Sequence, residues 1–371
     1  MQFTCAMEDL VSAVSNVQRA VAAKSAVPAL EGILLRTTHN ALFVAGFDME
    51  LGITTTIPAS VKELGEIVVS SRLFGDIVRK MPGDSVSFSC DEKGNTTIRS
   101  EMTSFTISGI SAADYPELPS VSDGVGFTLP QNVLKSMIRQ TLFAVAQPND
   151  PRPICTGTKF ELAGGKLKLI SVDGYRLALR REAVEGYGDD CSFIVPGTAL
   201  SDLERLCGDS DERVVLSVGS KHISFTVGNT VILSRRLEGD FLNYKKAIPE
   251  SFRVTVKTAR TDLLEVVERV SLIIDSKNNA PLRLTFRKDA IDFVCTTPLG
   301  KAADSCPCEG EGGDLEIGFN DHYLSDALKA APADEINVCL NTGSSPCILV
   351  PADGSDNFVY MVLPVRLRAG Q

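Results

Sequence analysis

Apolar residues recur along this chain in two rhythms. Short stretches alternate apolar and polar positions, as half-buried strands do, and each runs into a stretch whose apolar residues fall three or four apart, as on one helix face. Three segments open this way: Phe3-Thr4 before Glu8-Asp9-Leu10, Phe127-Thr128 before Asn132-Val133-Leu134, and Val254-Thr255-Val256 before Thr261-Asp262-Leu263. The predicted helical faces are Leu10, Val14, Val17 and Val21; Leu134, Ile138, Leu142 and Val145; and Leu263, Val267 and Val270. Asp9, Asn132 and Thr261 are residue types that start helices, and the helices are expected to begin there.

A second helix is predicted after a strand in every copy, over 72–81, 199–207 and 321–330. Its buried faces are expected to be Leu73, Phe74, Ile77 and Val78; Leu200, Leu203 and Leu206; and Leu324, Ala327 and Leu328. Hairpin signals separate the helices, as at Phe160 to Leu167 around Gly164-Gly165 and at Leu34 to Phe43 around His39-Asn40. The repeat spacing, roughly 125 residues, is far longer than that of a solenoid. Three α+β domains follow, each with two helices packed on antiparallel sheets, with boundaries expected at 1–122, 125–248 and 250–371. The joints at Ser120 to Gly124 and Pro249-Glu250-Ser251 are short, which argues for fixed angles between domains.

Composition narrows the function. The chain has 371 residues, 44 % hydrophobic and 23 % charged, and no apolar run approaches the length of a membrane-spanning helix. Thirty-seven Lys and Arg against 47 Asp and Glu leave a net charge of −10, which repels nucleic acid and anionic membranes at long range. Any DNA contact must use a local basic surface. Met1 to Ala6 lacks the features of a signal peptide, so a cytosolic location is expected. The ten cysteines, scattered from Cys5 to Cys347, read as reduced core residues.

Catalytic and metal chemistry is represented only by near misses. Gly164-Gly165-Lys166-Leu167 ends like a phosphate loop, but Phe160 stands where glycine is needed and Leu167 where Ser or Thr is needed. Gly124-Val125-Gly126 and Gly310 to Gly313 lack the strand-glycine-helix context of a dinucleotide site. His39, His222 and His322 have no partner at a motif spacing, and Cys306-Pro307-Cys308 lacks zinc-site spacing. No catalytic residue, metal or cofactor is expected, although a triad assembled in space is invisible in sequence.

Several strings point together: Val172-Asp173-Gly174-Tyr175-Arg176-Leu177-Ala178, Glu238 to Pro249 (EGDFLNYKKAIP), Glu316-Ile317-Gly318-Phe319-Asn320, Leu363-Pro364-Val365-Arg366-Leu367, and Ala112 to Leu118 (AADYPEL). With the three repeats, the chain resembles the bacterial DNA sliding clamp family, the beta subunit of DNA polymerase III, over its whole length. The resemblance implies a non-catalytic processivity factor. Two copies would form a head-to-tail homodimer, a ring of six domains with helices lining a hole threaded by double-stranded DNA. It also implies a clamp loader, the DNA polymerase III catalytic subunit, and other polymerases and repair proteins that dock through a Leu-Phe motif, with no membrane partner. Such a ring would hold DNA through sequence-independent phosphate contacts.

By this resemblance Lys24, Arg72, Arg79, Lys135, Arg139, Arg152 and Arg205 are candidate DNA contacts. Independently of it, Arg72 and Arg79 share a helix face opposite the apolar stripe, and Lys135 and Arg139 lie four apart. Pro153 and Ile154 stand where the family often has aromatic residues, which weakens the case for stacking on single-stranded DNA. The matching peptide-pocket positions are Cys155, Val172, Gly174, Tyr175, Arg176 and Leu177 in the second domain, with Leu242, Lys246 and Ala247 in the Glu238–Pro249 string. The third domain adds Asn320, Tyr323, Ser345, Pro346, Met361, Leu363, Pro364, Val365 and Arg366. Leu242 replaces a common Pro, and Leu363 and Val365 replace common Met. The residues after Leu367 pass the family's usual end, with Arg368 expected near the pocket mouth. Val362 is expected in the core. Matching dimer-seam positions are Phe105 and Ile107 on a first-domain edge strand and Leu272 and Ile273 in the third domain. The alternative is a clamp-like interaction scaffold that does not encircle DNA.

Overall fold

In the computed structural model of the chain the described residues are 1–121, 125–185, 189–275, 280–311 and 313–367. The first repeat opens with β1 (Gln2–Ala6), α1 (Met7–Val17), β2 (Gly32–Thr37), β3 (Ala41–Phe47) and β4 (Leu51–Pro58). It continues with β5 (Ser60–Glu63), β6 (Glu66–Ser70), α2 (Ser71–Lys80), β7 (Ser85–Cys90), β8 (Asn95–Ser100) and β9 (Thr103–Ser108). The second comprises β10 (Val125–Pro130), α3 (Gln131–Leu142), β11 (Gly157–Ala163), β12 (Lys166–Val172), β13 (Arg176–Ala183) and β14 (Cys191–Pro196). Helix α4 (Gly197–Leu206) and strands β15 (Arg213–Val218), β16 (His222–Val227) and β17 (Thr230–Arg235) complete it. The third runs β18 (Val254–Ala259), α5 (Arg260–Ser271), β19 (Leu282–Phe286), β20 (Ala290–Thr297), β21 (Gly300–Pro307) and β22 (Glu309–Glu311). It ends with β23 (Leu315–Phe319), α6 (Asp321–Ala330), β24 (Glu335–Leu340), β25 (Cys347–Pro351) and β26 (Phe358–Val362).

The strands form four antiparallel sheets. Their orders are β5-β1-β7-β8-β9, β10-β15-β16-β17-β4-β3-β2-β6, β14-β11-β12-β13-β26-β25-β24-β18-β22 and β21-β20-β19-β23. The two large sheets join repeats, because β17 pairs with β4 and β26 with β13. By contact density the three repeats group into two compact units. One holds residues 1–135 and 201–236, the other 136–185, 190–200 and 237 onward. The second repeat is shared because its opening strand β10 and its closing strands lie in one sheet and β11 to β14 in the other.

All six helices are present, but the first helix of each repeat starts one or two residues earlier than the capping residues imply. The reason is the same in each copy. A strand runs straight into the helix, and the first helical N–H donates to a neighbouring backbone carbonyl: Met7 to Asp84 at 2.9 Å, Gln131 to Glu212 at 2.8 Å and Arg260 to Asp334 at 2.8 Å. That bond satisfies one of the first N–H groups that a helix start leaves without an intrahelical partner. Helix α2 starts at Ser71 and α4 at Gly197, again ahead of expectation, whereas α6 begins as expected, with Asn320 Oδ1 accepting from the Tyr323 N–H at 3.1 Å.

The predicted apolar faces make the cores. Leu10, Val14 and Val17 of α1 and Phe74, Ile77 and Val78 of α2 are buried, with Phe3 stacked on Phe88 at 4.8 Å and Phe74 edge-on to Phe88. Leu263, Val267, Val270, Leu324, Ala327 and Leu328 share another core with the strands of the third repeat. Val362 is in that core as expected. Leu73, expected inside, is instead 47 % exposed. Val21 lies beyond the end of α1, after a 3-10 turn at Gln18–Ala20. Eight cysteines are buried, and Cys90 and Cys191 are half-buried. Burial pushes the Cys5 thiol up to about 12 and the Cys308 thiol up to about 11, which keeps them protonated.

The phosphate-loop near miss resolves as a turn. Gly164 and Gly165, with φ of 57° and 75°, make the two-residue turn joining β11 to β12. His39 lies in the β2–β3 turn and His222 opens β16. Residues 122–124 of the first joint lie outside the described residues. One glycine marks a tight approach: a Cβ on Gly46 of β3 would sit 2.2 Å from the Val17 carbonyl oxygen at the end of α1. Gly46→Ala is expected to destabilise the chain by about 1 to 3 kcal/mol through this clash. The check is a lowered thermal midpoint, and an unchanged midpoint would show that α1 can move aside.

Candidate functional site

One apolar cluster gathers many of the residues matched to a peptide pocket. Cys155, Val172, Leu177 and Met361 are buried in it, and Ala247 and Leu363 pack against its edge. The register places them: Val172 opposes Leu177 across the β12–β13 turn, and Leu177 opposes Met361 across β13–β26. Just past β26, Leu363 donates its N–H to the Tyr175 carbonyl at 2.8 Å, and Val365 donates to Gly318 at 2.8 Å. The tail after the last strand is thus laid along the repeat by backbone bonds. Tyr175, Leu242 and Val365 leave 59 %, 51 % and 38 % of their surfaces exposed. Sequence reasoning missed Ile154, Phe241 and Ile248, which pack on the same cluster. The signal was available for Phe241 and Ile248, which belong to the Glu238–Pro249 string.

Arg176 organises the neighbouring polar edge. Its guanidinium pairs with Asp173 at 2.9 Å and Asp326 at 2.6 Å and lies 4.6 Å from the Tyr323 ring and 5.5 Å from that of Phe143. Tyr175 stacks on Tyr323 with centroids 5.7 Å apart. Asp173 also accepts from the Tyr175 and Arg176 backbone N–H groups, so one carboxylate shapes the turn and aims the arginine. Burial, with Asp173 nearby, raises the Tyr323 hydroxyl above its ordinary value and keeps it a neutral hydrogen-bonding group. Burial likewise raises the Cys155 thiol, which makes it packing rather than a nucleophile. Gly174, at φ 93°, lies under Arg152, whose guanidinium nitrogen would be 2.8 Å from a Cβ there. Asn320 caps α6, Lys246 closes a 3-10 turn, and Ser345 and Pro346 precede β25. Pro364 is half-buried and Arg366 exposed. Arg368 lies outside the described residues.

The seven candidate DNA contacts divide by their surroundings. Lys24, Arg72 and Arg139 are exposed. Carboxylates stand beside at least four of the seven: Asp76 by Arg79 at 2.9 Å, Asp209 by Lys135 at 2.8 Å, Asp150 by Arg152 at 3.1 Å and Asp202 by Arg205 at 3.8 Å. Arg72 and Arg79 line one cavity of about 420 Å³ beside the end of α1. Arg152 does not project alone, because it also donates to the Asp173 carbonyl at 2.8 Å, beside the peptide-pocket candidates. Hydrogen bonds from Arg152 hold the Asp150 carboxyl below its usual range.

Among the seam candidates, Phe105 and Ile107 lie on β9 at the edge of the five-stranded sheet; Phe105 is 41 % exposed and Ile107 is buried. Leu272 follows α5 and is 82 % exposed, whereas Ile273 packs partly on the third-repeat core.

Comparison with known proteins agrees with this architecture. Three family profiles match in order: the N-terminal domain of the DNA polymerase III beta subunit over residues 1–119, its central domain over 128–243 and its C-terminal domain over 245–366. The beta sliding clamp of Staphylococcus epidermidis is 32 % identical over 99 % of both chains, and that of Staphylococcus aureus is 31 % identical over the same share. The solved sliding clamp of Bacillus subtilis superposes with a TM-score of 0.96 at 28 % identity, covering 99 % of this chain and 100 % of that one. The chain belongs to the DNA polymerase III beta subunit family, the bacterial sliding clamps, and is a non-catalytic processivity factor of DNA replication.

Proposed function

We propose that two copies of this chain close head to tail into a ring around duplex DNA, each copy contributing three clamp domains at 1–122, 125–248 and 250–371. The observation that carries this reading is a repeated joint. The closing strand of the second repeat, β17, pairs with β4 of the first, and the closing strand of the third, β26, pairs with β13 of the second. The pattern has one closing strand, β9, and one receiving strand, β21, left over. Each is an outer strand of its sheet among the described residues. Pairing β9 of one copy with β21 of another satisfies both edges and repeats around a closed twofold assembly. Lys24, Arg72, Arg79, Lys135, Arg139, Arg152 and Arg205 then meet phosphates without reading sequence. An acidic exterior disfavours other DNA contacts, and topology supplies retention.

The surface around Leu363 takes Leu-Phe peptides of the DNA polymerase III catalytic subunit, other polymerases, repair proteins and the loader that opens the ring. Burial of one Leu and one Phe contributes roughly 1.5 to 3 kcal/mol each. Ordering the peptide offsets part of that, leaving micromolar binding suited to exchange between clients. The cell's cytoplasm is the compartment consistent with this role.

A labelled peptide bearing Gln-Leu-x-Leu-Phe is expected to bind in fluorescence polarisation at micromolar concentration, and Leu363→Asp to weaken it by about tenfold or more. No binding by the folded wild type would remove the client-docking role. The ring is tested on DNA. Protein loaded onto nicked circular DNA should stay bound in high salt and be lost when the circle is cut. Loss from intact circles at the same rate would instead favour a scaffold that does not encircle DNA. Leu272→Ala with Ile273→Ala should shift the mass at low concentration from dimer to monomer in light scattering; an unchanged dimer mass would place the seam elsewhere.

A further inference from the structure

The two joints inside the chain are built from corresponding positions, and those positions describe a third joint. Counting from the first residue of α1, α3 and α5, the thirteenth residues are Arg19, Phe143 and Leu272. The sixth residues of α2, α4 and α6 are Asp76, Asp202 and Asp326, an aspartate every time. The third residues of the closing strands β9, β17 and β26 are Phe105, Ile232 and Tyr360, and those of the receiving strands β4, β13 and β21 are Ile53, Ala178 and Ala302. The counting agrees with the observed register, since Ile232 opposes Ile53 and Tyr360 opposes Ala178.

In each internal joint these residues meet. Between the first and second repeats, Arg19 pairs with Asp202 at 3.3 Å, and both line a small cavity with Ile53 and Ile232. Between the second and third, the Phe143 ring meets Tyr360 edge-on at 5.3 Å, and Asp326 is answered by Arg176, the first residue of β13, at 2.6 Å. Ile232 and Tyr360 are fully covered, at 1 % and 0 % exposure. In the third set Leu272 is 82 % and Phe105 41 % exposed. Leu73, at the helix position of buried Ala199, is exposed as well.

The charges differ between the sets. Each internal joint brings an arginine from the preceding repeat to the aspartate, Arg19 from the end of a helix or Arg176 from the start of a strand. In the third set the helix position holds Leu272 and the strand position holds Gly300. Asp76 is instead paired within its own helix, to Arg79 at 2.9 Å. Strand β9 reads Thr-Ser-Phe-Thr-Ile-Ser, with no charged residue. The repeated register sets Lys301 of β21 against Thr106 and Asp304 against Thr103, and Asp304 is paired with Arg269 of its own repeat at 2.8 Å.

We propose that the contact between two copies is an apolar version of the internal joint, in which Leu272 of one copy packs on Phe105 and Leu73 of the other with no ion pair to Asp76, so that the dimer is insensitive to ionic strength. This rests on the ring reading above. Apolar burial does not weaken when salt screens charges, whereas an exposed arginine–aspartate contact does.

The test measures the dimer dissociation constant of the full chain by fluorescence dilution and sedimentation at 50 mM and 1 M NaCl. A change of less than about threefold is expected, and Asp76→Asn should also leave the constant within about threefold, because that aspartate faces no cross-copy cation. Leu272→Ala and Phe105→Ala should each weaken the dimer, and the double variant should lose less than the product of the two, as for residues in contact. Weakening beyond about tenfold at high salt, or by Asp76→Asn, overturns the apolar seam while leaving the ring intact. Strictly multiplicative losses overturn the Leu272–Phe105 contact. A wild type that stays monomeric at every concentration overturns the ring reading, and this inference with it.

Discussion

Backbone hydrogen bonding between repeats is the constraint on which the rest of this molecule depends. A repeat of this kind ends in a three-strand run whose last strand would be an open edge, and open edges of paired strands invite promiscuous association. The chain covers two of these edges with its own preceding domain: β4 on β17 and β13 on β26. The result is two continuous sheets of eight and nine strands in which domain boundaries vanish into a ladder. The stiffness of each joint then comes from a sheet rather than from a linker, in keeping with the short joints. Compactness follows sheets rather than repeats, and the second repeat is divided between two units for that reason.

Charge is managed locally against an acidic whole. With a net charge of −10, the chain still carries basic helix positions, and at least four of the seven candidate phosphate contacts have an aspartate beside them. Partly neutralised arginines suit a protein that must not bind any phosphate tightly. Arg176 serves a different purpose. Side chains that leave it about 12 % exposed surround it with two carboxylates and two aromatic rings, so it acts as a fixed wall beside the apolar cluster. A planar guanidinium can satisfy both kinds of neighbour at once, which a lysine could not.

What the sequence by itself determined is periodic or local. The three openings, the six helices and most of their buried faces follow from apolar spacing, because burial of one face is a property each helix carries alone. The Gly164-Gly165 hairpin followed from residues that tolerate positive φ. The strings around Val172, Glu238, Glu316 and Leu363 marked the candidate site, and the structure gathers many of those positions around one apolar cluster.

Tertiary structure decided what depends on partners distant in the chain. The helices begin early because carbonyls of Asp84, Glu212 and Asp334 supply the first bond, and no local pattern reveals a donor's partner some 75 residues away. Leu73 reads as core by helical spacing, yet it is 47 % exposed, unlike its counterpart Ala199, which is buried. Arg152, a candidate DNA contact by resemblance, lies against Asp150 and the Asp173 carbonyl. Spacing fixes which face of an element is apolar; only the pairing of strands far apart in sequence fixes what that face meets.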